Sequence, residues 1–297
     1  MSAIDQLLEL DQLSDLVING HQRAFANISG TWKSVPNPFQ SHDELRNFAI
    51  ELAGSARKRL DYASPFADVA IGSLRYHLAL PLGVGEVHIS VRKHQVAHKD
   101  LDALLENPGR WAEPLRRIIL EKANFIICGG TGTGKTTLLR SLLQHAESDR
   151  IVTVEDVSEL ELNNSNVVAL ITRQANTDGA GQIDLQRLVI ESLRMKPDRL
   201  AVGEVRGVEL VPMLQALNSG HRGSATTIHA NQADAVPARL IGIGLLGGLS
   251  PATTAHLAAS AFDYVIALKT RVRGIEIHSI SSFELTRESR LVTKNEL

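Results

Sequence analysis

The sequence predicts an α/β protein in two parts, a smaller α+β domain at the amino end and a doubly wound α/β domain at the carboxyl end. Three observations predict it. A helical segment and then short alternating stretches occupy the first hundred residues; from about Trp111 apolar stretches alternate with helix-like ones; and a glycine-rich turn, Gly129 to Thr137, stands between one such pair. At 297 residues and 43% hydrophobic content the chain can bury cores of this size. The expected boundaries are 1–95 for the first domain, 96–110 for a linker and 111–297 for the second.

In the first domain, "SHDELRNFAIELAGSARKRL" sets Ser41 and Glu44 at capping-box spacing and keeps Leu45, Phe48, Leu52, Ala56 and Leu60 on one helical face. "ADVAIG", "RYHLALPL" and "EVHISVRK" are short, β-branched or alternating, and punctuated by Gly and Pro, as strands of a small antiparallel sheet are. The polar stretch from His94 to Asp100 and the short helical "LDALLENPG" read as the connection. Beyond it, "NFIICG", "RIVTVED", "RLAVGEV" and "SATTIHAN" suit interior parallel strands, separated by helices such as "KTTLLRSLLQHA" and "DLQRLVIESLRM". Such a sheet binds ligands at the carboxyl ends of its strands.

Composition narrows the partners. The balance of 31 basic and 33 acidic residues argues against a nucleic-acid arm, and no aromatic-basic groove pattern is present, so no stable nucleic acid is expected. The single cysteine, Cys128, excludes an intramolecular disulfide and a cysteine-based zinc site, and reads as a small apolar core residue. "MSAIDQLLEL" has no basic n-region, and the longest smooth apolar run, "LIGIGLLGGL", is about half a membrane span. A cytosolic chain is expected.

Gly129, four residues, then Gly134, Lys135 and Thr136 match the phosphate-loop pattern in its required setting between strand and helix. The backbone N–H groups of Gly130, Thr131, Gly132, Thr133 and Gly134, continuing into Thr136 and Thr137, suit phosphate oxygens. Lys135 brings a charge to the β- and γ-phosphates, and the Thr136 hydroxyl suits Mg²⁺. ATP and Mg²⁺ are therefore the expected substrate and cofactor. "IVTVEDVSELEL" supplies Glu155, Asp156 and Glu159, carboxylates able to hold Mg²⁺ or its waters or to position an attacking water. In "PDRLAVGEV" Gly203 stands where many such enzymes carry a metal-bound aspartate, and Glu204 after it is the expected catalytic glutamate. Asp156 or Glu155 can cover the missing metal role through water. "NSGHRGSATTIHAN" contributes His221 and His229, for which phosphate sensing and a hydrogen-bonded structural role both stay open.

Together "GGTGTGKTTLL", "IVTVEDVSELEL", "LRMKPDRLAVGEVRG" and "GHRGSATTIHAN" resemble, in order and separation, the four boxes of the type II/type IV secretion ATPase superfamily: Walker A, Asp box, Walker B ending in Gly-Glu, and His box. The likeness spans about Asp61 to Phe283 and is strongest to the Tad/CpaF-like branch and to conjugal-transfer ATPases. It implies a RecA-like motor domain, a PAS-like amino-terminal domain, and a homohexamer with ATP held between the two domains. It implies a cytoplasmic position at the inner face of the membrane, reached through inner-membrane platform proteins of a secretion or pilus system. It gives Lys135 and Thr136 the Walker A roles, Glu155, Asp156 and Glu159 the Asp box, Glu204 the Walker B glutamate, and His221 and His229 the His box. "GSLRYHLALPL" and "ISVRK" resemble segments whose arginines reach the nucleotide, which points to Arg75 and Arg92. Arg206 suits an ion pair. Two departures stand out: Pro212 lies where a helix is expected, tolerable only in its first turn, and "LIGIGLLGGLSP" is glycine-rich for a helical position. A nucleic-acid motor of RecA or helicase type, a conjugative DNA-transfer ATPase, a small-acceptor kinase and a nucleotide-gated assembly protein are the competing functions.

Overall fold

The computed structural model describes residues 3–81, 85–93, 100–173, 181–269 and 274–297. The described residues form two compact units, one ending at Lys93 and one running from Asp100 to the carboxyl end. His94, His98 and residues 96–99 of the expected linker lie outside the described residues.

The first unit comprises α1 (Ala3–Leu8), β1 (Leu13–Asn19), β2 (Arg23–Ile28), β3 (Thr31–Val35), α2 (His42–Ser55), β4 (Phe66–Ile71), β5 (Leu74–Ala79) and β6 (His88–Lys93). Two antiparallel meanders join through β1 and β6 into a sheet of order β3-β2-β1-β6-β5-β4. Alternation along each strand sends Leu16, Ile18, Ala24, Ala26, Leu78, Ile89 and Val91 into one core with Leu45, Ala49 and Ala53 of α2. At the start of α2 the Ser41 hydroxyl accepts the Glu44 N–H at 3.2 Å, while Glu44 reaches one residue further back than a capping box, to the Gln40 N–H at 2.6 Å. The helix stops at Ser55, short of the predicted Leu60, which is buried from the chain beyond it.

The second unit comprises α3 (Leu101–Leu104), α4 (Pro108–Leu120), β7 (Phe125–Cys128), α5 (Lys135–Gln144), β8 (Ile151–Glu155), β9 (Val167–Ile171), α6 (Leu185–Leu193), β10 (Arg199–Val202), α7 (Leu210–Asn218), β11 (Ala225–Ile228), α8 (Val236–Leu246), α9 (Pro251–Ala261), β12 (Tyr264–Leu268), β13 (Ile277–Leu285) and β14 (Leu291–Asn295). Its sheet has the order β14-β13-β12-β7-β11-β10-β8-β9; the six strands from β12 to β9 are parallel and the last two strands of the chain add antiparallel at one edge. Both faces are covered. Ile126, Val154 and Val202 pack on the side of α6 to α9, and Phe125, Ile127 and Ile151 on the side of α3 to α5. Leu101, Leu104 and Leu105 belong to that second core, so the later part of the expected linker is built into this unit. No helix among the described residues is long and apolar enough to cross a membrane.

Both departures have a local explanation. α7 begins at Leu210, which puts Pro212 in its first turn. On α8, a Cβ added at Gly244 would stand 2.2 Å from Oγ1 and 2.8 Å from Cγ2 of Thr254 on α9. Thr254 is pinned there, donating its hydroxyl to the Ser250 carbonyl at 3.0 Å. The glycine therefore permits close approach of two helices. Gly244→Val is expected to lower stability by about 1–3 kcal/mol through overpacking. An unaltered midpoint of thermal unfolding would show that the helix pair yields instead.

Candidate functional site

β7 lies between β11 and β12 and ends at Cys128, where burial pushes the thiol pKa up to about 12 and leaves it a core residue. The loop that follows turns into α5 through Gly134, whose φ of +96° is left-handed and whose added Cβ would meet Ile275 Cγ1 at 3.1 Å. Thr133 Oγ1 donates to the Gly130 carbonyl at 3.0 Å and closes the loop. No side chain caps α5, so the N–H groups of its first turn stay available to an anion.

Lys135, at the first position of α5, is 8% exposed. Its ammonium donates to the carbonyls of Gly129 at 3.0 Å and Gly130 at 2.9 Å, and stands 3.4 Å from Nδ1 of His229. An ammonium has only protons to offer, so Nδ1 accepts and Nε2 carries the ring proton. Nε2 is 2.9 Å from Oε1 of Glu204. The parallel sheet makes this chain possible: His229 directly follows β11, which pairs with β7, and Glu204 follows by two residues β10, which pairs with β11, both at carboxyl ends. Burial lowers the Lys135 pKa, an effect that the negative charges of Glu204 and Glu159 oppose.

Gly203 is explained by its neighbour. A Cβ there would stand 3.0 Å from Cγ of Glu155, so glycine leaves the room that the Glu155 side chain fills. Glu155 is 4% exposed, and its Oε1 accepts the N–H groups of Glu159 and Leu160, each at 3.0 Å. It shapes the acidic loop. From the other side Arg140, on α5, donates Nε to the Leu160 carbonyl at 2.7 Å and Nη2 to the Glu159 carbonyl. Sequence reasoning missed Arg140, since its partners are backbone groups about twenty residues away and nothing local marks it.

Two expected site residues, Asp156 and His221, stand away from the phosphate loop. Asp156, expected to hold the metal, is turned toward the β9 edge: its Oδ2 pairs with Arg206, and Thr172 donates its hydroxyl to both Oδ1 at 3.3 Å and the backbone carbonyl at 3.0 Å. With Arg173, Asp184 and Glu209 it lines a separate cleft of about 290 Å³. His221 precedes β11, hence lies at the amino edge of strands whose carboxyl ends carry the phosphate loop; its Nδ1 meets the Ala216 carbonyl at 3.1 Å, closing the end of α7. Arg206, read as an ion-pair residue, is one, with Asp156. Arg75 and Arg92 belong to the first unit, directly opposite each other across β5 and β6, and Arg92 pairs with Asp15 at 2.9 Å.

Comparison with known proteins bears on the family and the fold. Residues 69–274 match the family model described as "Type II/IV secretion system protein". A putative conjugal transfer protein of Mycobacterium tuberculosis is 36% identical over 276 residues, 89% of this chain and 78% of that protein. The type IV secretion system protein VirB11 of Bartonella quintana is 26% identical, covering 78% of this chain and 76% of that protein. The fold is similar to that of the Legionella pneumophila ATPase DotB, with a TM-score of 0.63 and 21% identity over 99% of this chain and 79% of that one.

Proposed function

Because the chain belongs to the Type II/IV secretion system protein family, we propose that it is an ATP-hydrolysing motor of a secretion or conjugal-transfer apparatus. The observation that carries this reading is the chain from the phosphate-loop lysine through His229 to the Glu204 carboxylate. The N–H groups of residues 130–134 and the start of α5 bind the phosphates, and Lys135 neutralises them. Thr136, in the first turn of α5, and Glu159, whose charge already acts on Lys135, are the groups suited to holding Mg²⁺; they replace Asp156 in that role. The ion spreads the negative charge of the phosphates. Glu204 orients and polarises the attacking water. His229 accepts from Lys135 and donates to Glu204, so movement of the lysine toward phosphate alters what holds the carboxylate.

The finer reading is a homohexamer with a RecA-like motor domain and a PAS-like amino-terminal domain, using ATP hydrolysis and interdomain motion to drive inner-membrane platform proteins of type II/type IV secretion or Tad-type pilus assembly. Arg75 and Arg92 are assigned charge-neutralising roles in it. The test is ATP turnover measured across protein concentration together with mass in solution. Turnover per chain that rises as a hexamer forms is expected. A monomer with concentration-independent turnover would overturn the ring.

A further inference from the structure

The acidic loop after β8 is held by its backbone from two directions. Glu155 accepts the N–H groups of Glu159 and Leu160, each at 3.0 Å, and the Arg140 guanidinium donates to the carbonyls of these same two residues. All four backbone groups of one dipeptide are thereby fixed by two side chains. Both side chains are buried, Arg140 at 8% exposure and Glu155 at 4%, and Leu160 is fully buried below them. The next residue, Glu161, has a φ of +35°, a conformation that a residue with a Cβ keeps only when its surroundings dictate it.

We propose that Arg140 is a positioning residue, which holds the acidic loop, and Glu159 with it, in fixed register with the phosphate-loop helix by gripping the backbone of residues 159 and 160. Its location gives the grip a purpose. Arg140 sits on α5, five residues after Lys135, on the same rigid helix that begins at the phosphate loop. A displacement of the phosphates and of α5 is therefore passed to the acidic loop through two hydrogen bonds rather than through a flexible connection. A planar guanidinium can reach two adjacent carbonyls at once, whereas an ammonium on a flexible stem has no fork preset for the pair.

This inference rests on the ATP-hydrolysing reading, and the experiment separates the two. The full chain, Arg140→Met and Arg140→Lys are compared for phosphate release at saturating ATP and Mg²⁺, for affinity toward a fluorescent ATP analogue, and for hydrogen exchange at the Leu160 amide. In Arg140→Met, kcat is expected to fall about 10- to 100-fold, as for a misplaced catalytic group, with analogue affinity within about threefold of wild type. Exchange at Leu160 should quicken. Unchanged kcat in a folded variant overturns the proposal, and so does a loss of affinity with full kcat at saturation, which marks a residue that merely holds the fold. If Arg140→Met does not fold, Arg140→Lys decides, with a fall of at least about threefold expected and a full rate contradicting. If the wild type itself releases no phosphate, the ATPase reading fails by itself; exchange at Leu160 then judges the grip, quickened exchange in the variants supporting it and unchanged exchange refuting it.

Discussion

Replacing Glu204 by glutamine is expected to lower phosphate release from ATP by about 10²- to 10⁴-fold, the span of a lost general base. Nucleotide binding should survive, because phosphate affinity resides in the loop, in Lys135 and in the start of α5, none of which the substitution alters. The amide oxygen can still accept the Nε2 proton of His229, so the packing of the chain from Lys135 is retained while the basicity is lost. Parallel measurement of fluorescent-nucleotide affinity and phosphate release checks this. Retention of turnover within about threefold would remove Glu204 from the reaction, since a lost base costs at least about a hundredfold.

The second large effect concerns stability at the opposite edge of the sheet. Asp149 holds Lys122 at 2.7 Å through Oδ1 and Arg199 at 2.6 Å through Oδ2. Arg199 is 2% exposed, and its other bond is to the Ile119 carbonyl at 2.7 Å. Asp149→Ala leaves a buried guanidinium without its anion, and a loss of about 3–5 kcal/mol is expected. For a unit of this size that lowers the unfolding midpoint by about 10 °C. The pH dependence has a definite sign. Burial pushes the Asp149 pKa up, but the Lys122 and Arg199 hydrogen bonds outweigh it and hold the carboxyl below its ordinary range. The unfolded chain then takes up the proton first on acidification, so the contribution is complete above the ordinary carboxylate pKa and fades as pH falls through the folded value. Wild type should lose its advantage over Asp149→Ala below about pH 4. Equal midpoints at neutral pH would contradict the network.

What could be read in advance follows from where each constraint lies along the chain. The phosphate loop was legible because its chemistry forces particular residue types into nine consecutive positions, Gly129 to Thr137. Glu204 and His229 were legible as residues just past strands, and the parallel register brought them together. The first three strands escaped notice, although Ser29 and Gly30, both at positive φ, form the two-residue turn that favours a hairpin between β2 and β3. The three carboxylates of the acidic segment looked equivalent, since one residue of displacement past a strand end reverses the direction a side chain faces. Glu155 turned inward against Gly203, and Asp156 outward to Arg206, a partner fifty residues on. His221 was misplaced because a motif spanning a whole strand does not say which end of it lies at the site.

The central claim is that this chain hydrolyses ATP at the loop following β7. Phosphate release from ATP and Mg²⁺ by the purified chain, beside Lys135→Ala, tests it most directly. Sustained release by the wild type, abolished in Lys135→Ala, is the predicted result. Release that is absent from the wild type in every assembly state, or equal in the two proteins, would contradict it.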